Sequence, residues 1–563
     1  MRKLVWRDMG SEKRARGKSS LRLSLQRAFA TAPCYQFWYH PGVAIPGKIL
    51  ALAALLASPG PSAAGPSPSP RSLKLIAYDA QGRAMDLARF LAFTGRAERR
   101  EPLDWRQAGI FVSAPDGSGA LKPELRQAGP LLLLNWEKLP RAALSLPWPV
   151  AGHGFSTVWA DKGGLGFPDG EAVYLNEEIA LTQHRLFKQA WTRHTKETEP
   201  LYKPGPKAKR LFESAGRLMA QAGESREGPS RAAAFDKALG ETALAWETML
   251  FEHGLQLARN QKTASALRFG LGLDASLPGR LDERRRIART IGRSGANWVR
   301  LVFKANPADF AYARLSSFSE YDAIVSELRS AGLKVMACVL ETGEWPPTLT
   351  PELYAERAKN LVLRYRGQIR SWEVGSELNG DWLGGARRPL ASERIFKIHS
   401  AAAARVKEID QDLETVATLY WWDGTAPDEE HSLFGWLRRY VPQGFGRDLD
   451  VVAISLQPDE NPVGLALEPI FERAAQQLPA QRLMLGSLGY VEAGGLKGYW
   501  WLDPKDVGRA REDLAILYTT ASCALPRSLG GGFWWQALEQ MIPPKGKTAL
   551  FGAYQRALEQ LGR

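Results

Sequence analysis

Cysteine is scarce, with only Cys34, Cys338 and Cys523 in 563 residues. That excludes a disulfide framework and any cysteine-rich zinc site. Cys338 ("VMACVL") and Cys523 ("TASCALP") stand in apolar text and read as buried free thiols. Histidine is also sparse at seven, and none falls at a predicted strand end of the carboxyl-terminal half. With no CxxC, HExxH, calcium-loop or phosphate-loop spacing there, Ser–His chemistry and most zinc arrangements are excluded. No metal and no cofactor is expected. Long apolar runs are lacking too: Ile49–Ala57 is nine residues, too short to span a membrane. The positive charge is local. Residues 1–48 hold ten Lys or Arg against Asp8 and Glu12, which accounts for +8 of the net +14 and leaves +6 for the other 515 residues. A nucleic-acid partner therefore has little support.

What the sequence does contain begins with a leader. Lys48, the run Ile49–Ala57 and the small residues around Ser62 and Ala64 have the build of a secretory signal peptide, so the expected location is secreted or periplasmic, with no stable membrane span after cleavage. The basic stretch in front of it points to a true start near residue 43. No cysteine follows the run, which argues against lipid attachment. Residues 1–64 form this leader, and the Pro/Ser-rich residues 65–71 a linker. Residues 72–172 carry short β-rich runs between Gly, Pro and Asp ("LKLIAYDAQGRAM", "PLLLLNW", "AALSLPWPV"), the pattern of a small sandwich that braces its neighbour or binds sugar. Residues 173–262 change to a helical period ("NEEIALTQHRLFKQAW"), with a loop at "KETEPLYKPGPKAK" and no visible chemistry.

From 263 to 563 strand-like and helical pieces alternate. The eight strand-like pieces are "LRFGLGLD", "ANWVRLVF", "LKVMACVLE", "IRSWEVGSE", "ETVATLYWW", "DVVAISLQP", "RLMLGSLGY" and "GGGFWWQAL". In the helix "YDAIVSELRSAG", Tyr321, Ile324, Val325 and Leu328 make one apolar stripe and Gly332 closes the turn. Eight strand–helix units predict an α/β fold, a (β/α)8 barrel, over a doubly wound sheet. "GLGLDA" resembles a dinucleotide glycine pattern, but Pro278 follows where a helix is needed.

The functional residues of such a barrel lie at the carboxyl ends of its strands. Those ends give Asp274, Arg300, Glu341, Glu344, Glu377, Trp421, Trp422, Asp459, Glu460, Ser487, Tyr490, Trp534 and Trp535. Nineteen tryptophans is a high count, and indole faces can hold a sugar ring, although most tryptophans serve cores. Paired carboxylates beside such platforms suit glycoside hydrolysis, in which one acid protonates the leaving oxygen and a second carboxylate attacks the anomeric carbon or activates water. A lone strand-end acid is as readily a structural ion pair.

Four stretches carry a family resemblance. "GANWVRLVF", "GLKVMACVLETGEW", "IRSWEVGSELN" and "RLMLGSLGY" resemble the second, third, fourth and seventh strands of the clan A retaining glycoside hydrolases, which include cellulases, mannanases and xylosidases. The resemblance covers residues 265–563 and implies Glu377 as acid/base and Arg300 as support for the nucleophile. It also exposes departures. Ser376 stands where the clan has asparagine, Leu378 where it has proline, and Gln457 and Asp459 where it often has histidine and tyrosine. Ser487 stands where the nucleophilic glutamate belongs, and a serine hydroxyl cannot stabilise an oxocarbenium-like centre as a carboxylate does.

The sequence leaves three readings. In the first, the protein is an exported hydrolase acting on a polysaccharide or oligosaccharide, with Glu377 as general acid and the second carboxylate relocated to Asp459, Glu341 or Glu492. Arg300 pairs with the ionised carboxylate, Glu373 orients a neighbour, and Trp535 (or Trp534, one residue away in register), Trp422, Ser487 and Tyr490 line the sugar site. In the second, a catalytically degenerate barrel binds glycan without cleaving it. In the third, the barrel is a scaffold in an exopolysaccharide or envelope assembly. Carbohydrate is the expected partner, and the sequence does not fix the oligomeric state.

Overall fold

A computed structural model describes residues 70–95, 109–117, 119–273, 281–305, 319–385, 389–490, 506–544 and 546–562. The leader and its proposed signal peptide lie outside these residues, as do Asp274 and Glu492. Pro70–Arg563 forms one compact unit.

Its first part holds two small sheets. Strands β1 (Arg71–Ile76), β3 (Glu124–Ala128), β4 (Leu131–Trp136) and β7 (Ala172–Tyr174) form one, in the order β3-β4-β1-β7. Strands β2 (Phe111–Ser113), β5 (Ala143–Val150) and β6 (Gly154–Ala160) form the other, in the order β2-β5-β6. β4 alternates buried and half-buried residues along "LLLLNW", as a strand covered on one face should. Helices Leu175–Thr192, Pro206–Glu224 and Pro229–Arg259 follow, and the expected break between the first two falls where the chain leaves the helical turn Arg193–Glu197.

The carboxyl-terminal part is a closed barrel of eight parallel strands: β8 (Gly270–Leu273), β9 (Trp298–Val302), β10 (Lys334–Cys338), β11 (Ser371–Gly375), β12 (Glu414–Tyr420), β13 (Val451–Leu456), β14 (Arg482–Leu488) and β15 (Ser528–Trp534). All eight fall on the expected pieces. Every residue of β11, β13 and β15 is buried, which is why these strands read as runs rather than alternations. Closure brings β15 against β8, where a side chain on Gly270 would collide with the Phe533 ring. Tyr321, Ile324, Val325 and Leu328 are all buried, as their spacing requires.

Two tiers fill the barrel. Met336, Val416, Val451, Ala453, Met484, Leu529 and Phe533 make an apolar plug. Arg300, Cys338, Glu373 and Thr418, on β9 to β12, form a buried polar tier. Among the described residues no helix is long and apolar enough to cross a membrane, and no group of three or more His, Cys, Asp or Glu is arranged to hold a metal ion.

One ion cluster joins the helical part to the barrel. Glu468, fully buried, accepts from Arg193 Nη2 at 2.7 Å and Trp246 Nε1 at 2.6 Å, and lies 2.9 Å from His194 Nε2. Burial alone would push this carboxyl up, but His194, Arg193 and the Trp246 indole outweigh it and bring it down to about 2. A depressed carboxyl stabilises the fold above its unfolded value, and that contribution is lost as pH falls through the folded one. Unfolding by urea should therefore show a loss of about 3 kcal/mol between roughly pH 5 and pH 2 that is absent in Glu468→Gln. Parallel pH curves for the two proteins would refute the assignment.

Candidate active site

Five strand ends supply the polar groups. Arg300 projects from β9 into the buried tier and is shared. Its Nε donates to Glu373 Oε2 at 2.6 Å, its Nη1 to Glu341 Oε2 at 3.0 Å and its Nη2 to Ser376 Oγ at 3.0 Å. Glu373 also accepts the Thr418 hydroxyl. It is wholly buried and fixed on two sides, so it orients Arg300 and does not face solvent.

Glu341 lies three residues beyond β10, with its side chain 28% exposed. Besides Arg300 it accepts the Ser376 hydroxyl at 2.6 Å. Both of its oxygens are held by donors. Ser376 thus holds Glu341. Glu344, one turn on, accepts the Ala305 N–H at 3.1 Å, and burial raises its pKa.

Glu377 follows β11 by two residues and adopts φ +47°, a left-handed conformation that disfavours a residue with a β-carbon. It is partly exposed. Burial, then the charge of Glu341, raises its pKa to about 8, with Glu460 adding to the shift and Ser455 and Arg300 opposing it. Ser455 Oγ sits beside this carboxyl outside regular hydrogen-bond geometry. The left-handed turn is locked from behind: Leu378 N–H donates to Thr418 O at 3.1 Å, and buried Asn379 exchanges bonds with the Tyr420 backbone at 2.6 and 2.9 Å.

The arrangement separates two carboxylates chemically. Burial and the nearby Glu341 carboxylate favour the protonated form of Glu377, while Glu341 is held by donors from Arg300 and Ser376.

The remaining expected residues divide by exposure. Asp459 is 2% exposed, whereas its neighbour Glu460 is open to solvent and accepts the Tyr420 hydroxyl at 2.6 Å. Ser487 is on β14, in register with Phe533 and nearly buried. Tyr490 is buried, and its carbonyl accepts from Arg511 at 2.7 Å. Trp534 is buried with its indole donating to Gln540 Oε1 at 3.0 Å, whereas Trp535 stays partly exposed. Trp422 is buried and donates to His431 O.

Sequence reasoning missed three participants. Trp382, the last residue of "SWEVGSELNGDW", is partly exposed and lies edge-on to Tyr420, ring centres 5.1 Å apart, and 5.4 Å from Trp422. Tyr420 and Asn461 link the ends of β12 and β13, with Asn461 Nδ2 donating to Tyr420 Oη at 2.9 Å. Only the place of Tyr420 just before "WW" could have flagged it. Two shallow clefts open elsewhere, one beside Trp246, Glu468 and Leu465 and the other beside Tyr78, Tyr174 and Arg231.

No protein-family model matches the chain, and no curated protein matches it in sequence. Solved structures do. Xylanase 10B from Thermotoga petrophila, in complex with xylobiose, is 12% identical with a TM-score of 0.38, over 55% of this chain and 97% of that one. A fungal β-1,4-galactanase is 16% identical with a TM-score of 0.37, over 48% and 90%. The endo-1,4-β-mannanase of Rhizomucor miehei is 10% identical with a TM-score of 0.36, over 53% and 95%. Each of these is a likeness of fold at low identity. The likeness assigns no residue a role.

Proposed function

We propose that this protein is an exported glycoside hydrolase in which Glu377 protonates the leaving oxygen and Glu341 is the relocated second carboxylate. The supporting observation is the pairing of a partly exposed carboxyl raised to about 8 with a second carboxylate held by Arg300 and Ser376. Trp382 and Trp535, the partly exposed indoles near these strand ends, offer faces for a sugar ring. Asp459, nearly buried, is the weaker candidate for the second carboxylate. Screening polysaccharides for released reducing ends tests the proposal: the parent protein cleaves at least one, and Glu341→Gln removes that activity while the protein still binds the glycan. Retained cleavage in Glu341→Gln would move the role to Glu460 or Asp459.

A second reading follows from Ser487, which leaves the β14 end without a carboxylate at the position where the clan resemblance expects the nucleophile. In that reading the site binds glycan and does not cleave it. It predicts retardation in an affinity gel, no released sugar from any substrate, and a gain of hydrolysis in Ser487→Glu. Export rests on Ile49–Ala57 and its flanks, and amino-terminal sequencing of the mature protein should find a start just after Ala64.

A further inference from the structure

The sheet β2-β5-β6 touches the loops that follow β12 and β13 at several independent points. Thr157 Oγ1, on β6, donates to Pro462 O at 2.7 Å, and the Thr157 N–H donates to Val463 O at 3.2 Å. Ser145 Oγ, on β5, donates to Asp423 Oδ2 at 2.7 Å in a buried contact. Ser156 forms a parallel bridge with Val463. Gly424 lies so close to Gly109 O that no side chain would fit there. Phe111 of β2 and Ala120 pack with Tyr420, Trp422 and Ala426 in a buried cluster separate from the main core.

These loops lead directly to the carboxylates. Pro462 O also accepts the Trp421 indole N–H at 3.0 Å. Asn461, one residue earlier, accepts the Thr425 hydroxyl and donates to Tyr420 Oη, which donates in turn to Glu460. The charge of Glu460 acts on Glu377, together with those of Glu341 and Arg300.

We propose that β2-β5-β6 is a working wall of the strand-end site, in which Thr157 and Ser145 are positioning residues that hold the Asp423 and Asn461 loops, and through them Tyr420 and Glu460, against Glu377. The inference rests on the reading of Glu377 as the proton donor. Apolar packing alone tolerates small slides of one surface over another. Hydroxyl bonds to Pro462 O and Asp423 Oδ2 do not, because a slide would break bonds inside a buried contact.

The test uses the full chain and two readouts: the titration of Glu377, followed by carboxyl-carbon NMR and assigned with Glu377→Gln, and amide hydrogen exchange of residues 461–466. Thr157→Val and Ser145→Ala should loosen the loops, admit water and lower the Glu377 pKa by about one unit, a tenfold weaker hold on its proton. The loop amides should exchange roughly tenfold faster, equivalent to about 1.4 kcal/mol of lost protection. Thr157→Ser keeps the hydroxyl and should behave as the parent. Thr182→Val, which removes a hydroxyl bonded to Asp161 at 3.1 Å elsewhere in the chain, should leave both readouts unmoved. Unchanged loop exchange in folded Thr157→Val and Ser145→Ala overturns the proposal, and if the first does not fold the second decides alone. Faster loop exchange with an unmoved Glu377 titration also overturns it, since the loops would then not be acting on that carboxyl. A parent Glu377 that titrates in the ordinary carboxyl range sinks the proton-donor reading, and the exchange data then report the wall on their own.

Discussion

Replacing Glu377 by Gln is expected to lower glycan hydrolysis by about 10²- to 10⁴-fold, the usual worth of a positioned general acid. The amide keeps the shape of the side chain and cannot give up a proton. Activity of the parent should fall as pH rises through about 8, because burial and the charge of Glu341 hold the proton on Glu377 up to that point. That descending limb should vanish from whatever activity remains in the variant. Stability separates this result from misfolding. A carboxyl raised in the folded state stabilises the protein most below its unfolded pKa and loses that contribution as pH rises towards the folded value. Glu377→Gln should therefore unfold at a higher urea concentration than the parent at pH 9, with the gap closing below pH 5. Equal activity in the two proteins would remove Glu377 from the chemistry.

The second large effect concerns Arg300. Its replacement by Met should cost about 3–5 kcal/mol of folding stability, since Glu373 would be left as an uncompensated charge in the barrel interior. The two side chains are 5% and 1% exposed, so solvent offers little relief. Replacing both, as Arg300→Met with Glu373→Leu, should recover most of the loss, because well-packed apolar groups often substitute for a buried pair at no net cost. The residual deficit measures the bonds that Ser376, Thr418 and Glu341 lose. Chemical denaturation of the two singles and the double supplies the cycle. If Arg300→Met alone is as stable as the parent, the buried tier is not held by this ion pair.

The barrel was legible in the sequence because its strands are buried on both faces and separated by amphipathic helices, so each appears as a short apolar run between polar turns. "VVAISL" and "RLMLGSL" are unmistakable on that rule. β3 escaped it. "ELRQA" lies at a sheet edge with one buried residue in five, and nothing in its composition marks a strand. The helix Leu87–Thr94 was missed within text taken to be strand and loop, although Asp86 caps it.

The candidate site was legible where a residue sits on a strand or just past its end, and obscure deeper in the loops. Arg300 and Glu377 follow from counting to a strand end. Which of Asp459 and Glu460 is buried does not, since in an irregular loop one position decides it. Ser145 and Asp423 are 278 residues apart, and a contact of that kind leaves no periodic trace in the chain.

The seam between β2-β5-β6 and the barrel also limits how this chain can be divided. Residues 263–563 expressed by themselves would expose the Tyr420–Trp422 face that Phe111 covers, along with an Asp423 carboxylate stripped of its Ser145 donor. Such a fragment should be sticky and prone to self-association. In lineage terms, moving the barrel without its front piece would carry that exposed face along, which favours inheritance of the two halves as a single cassette.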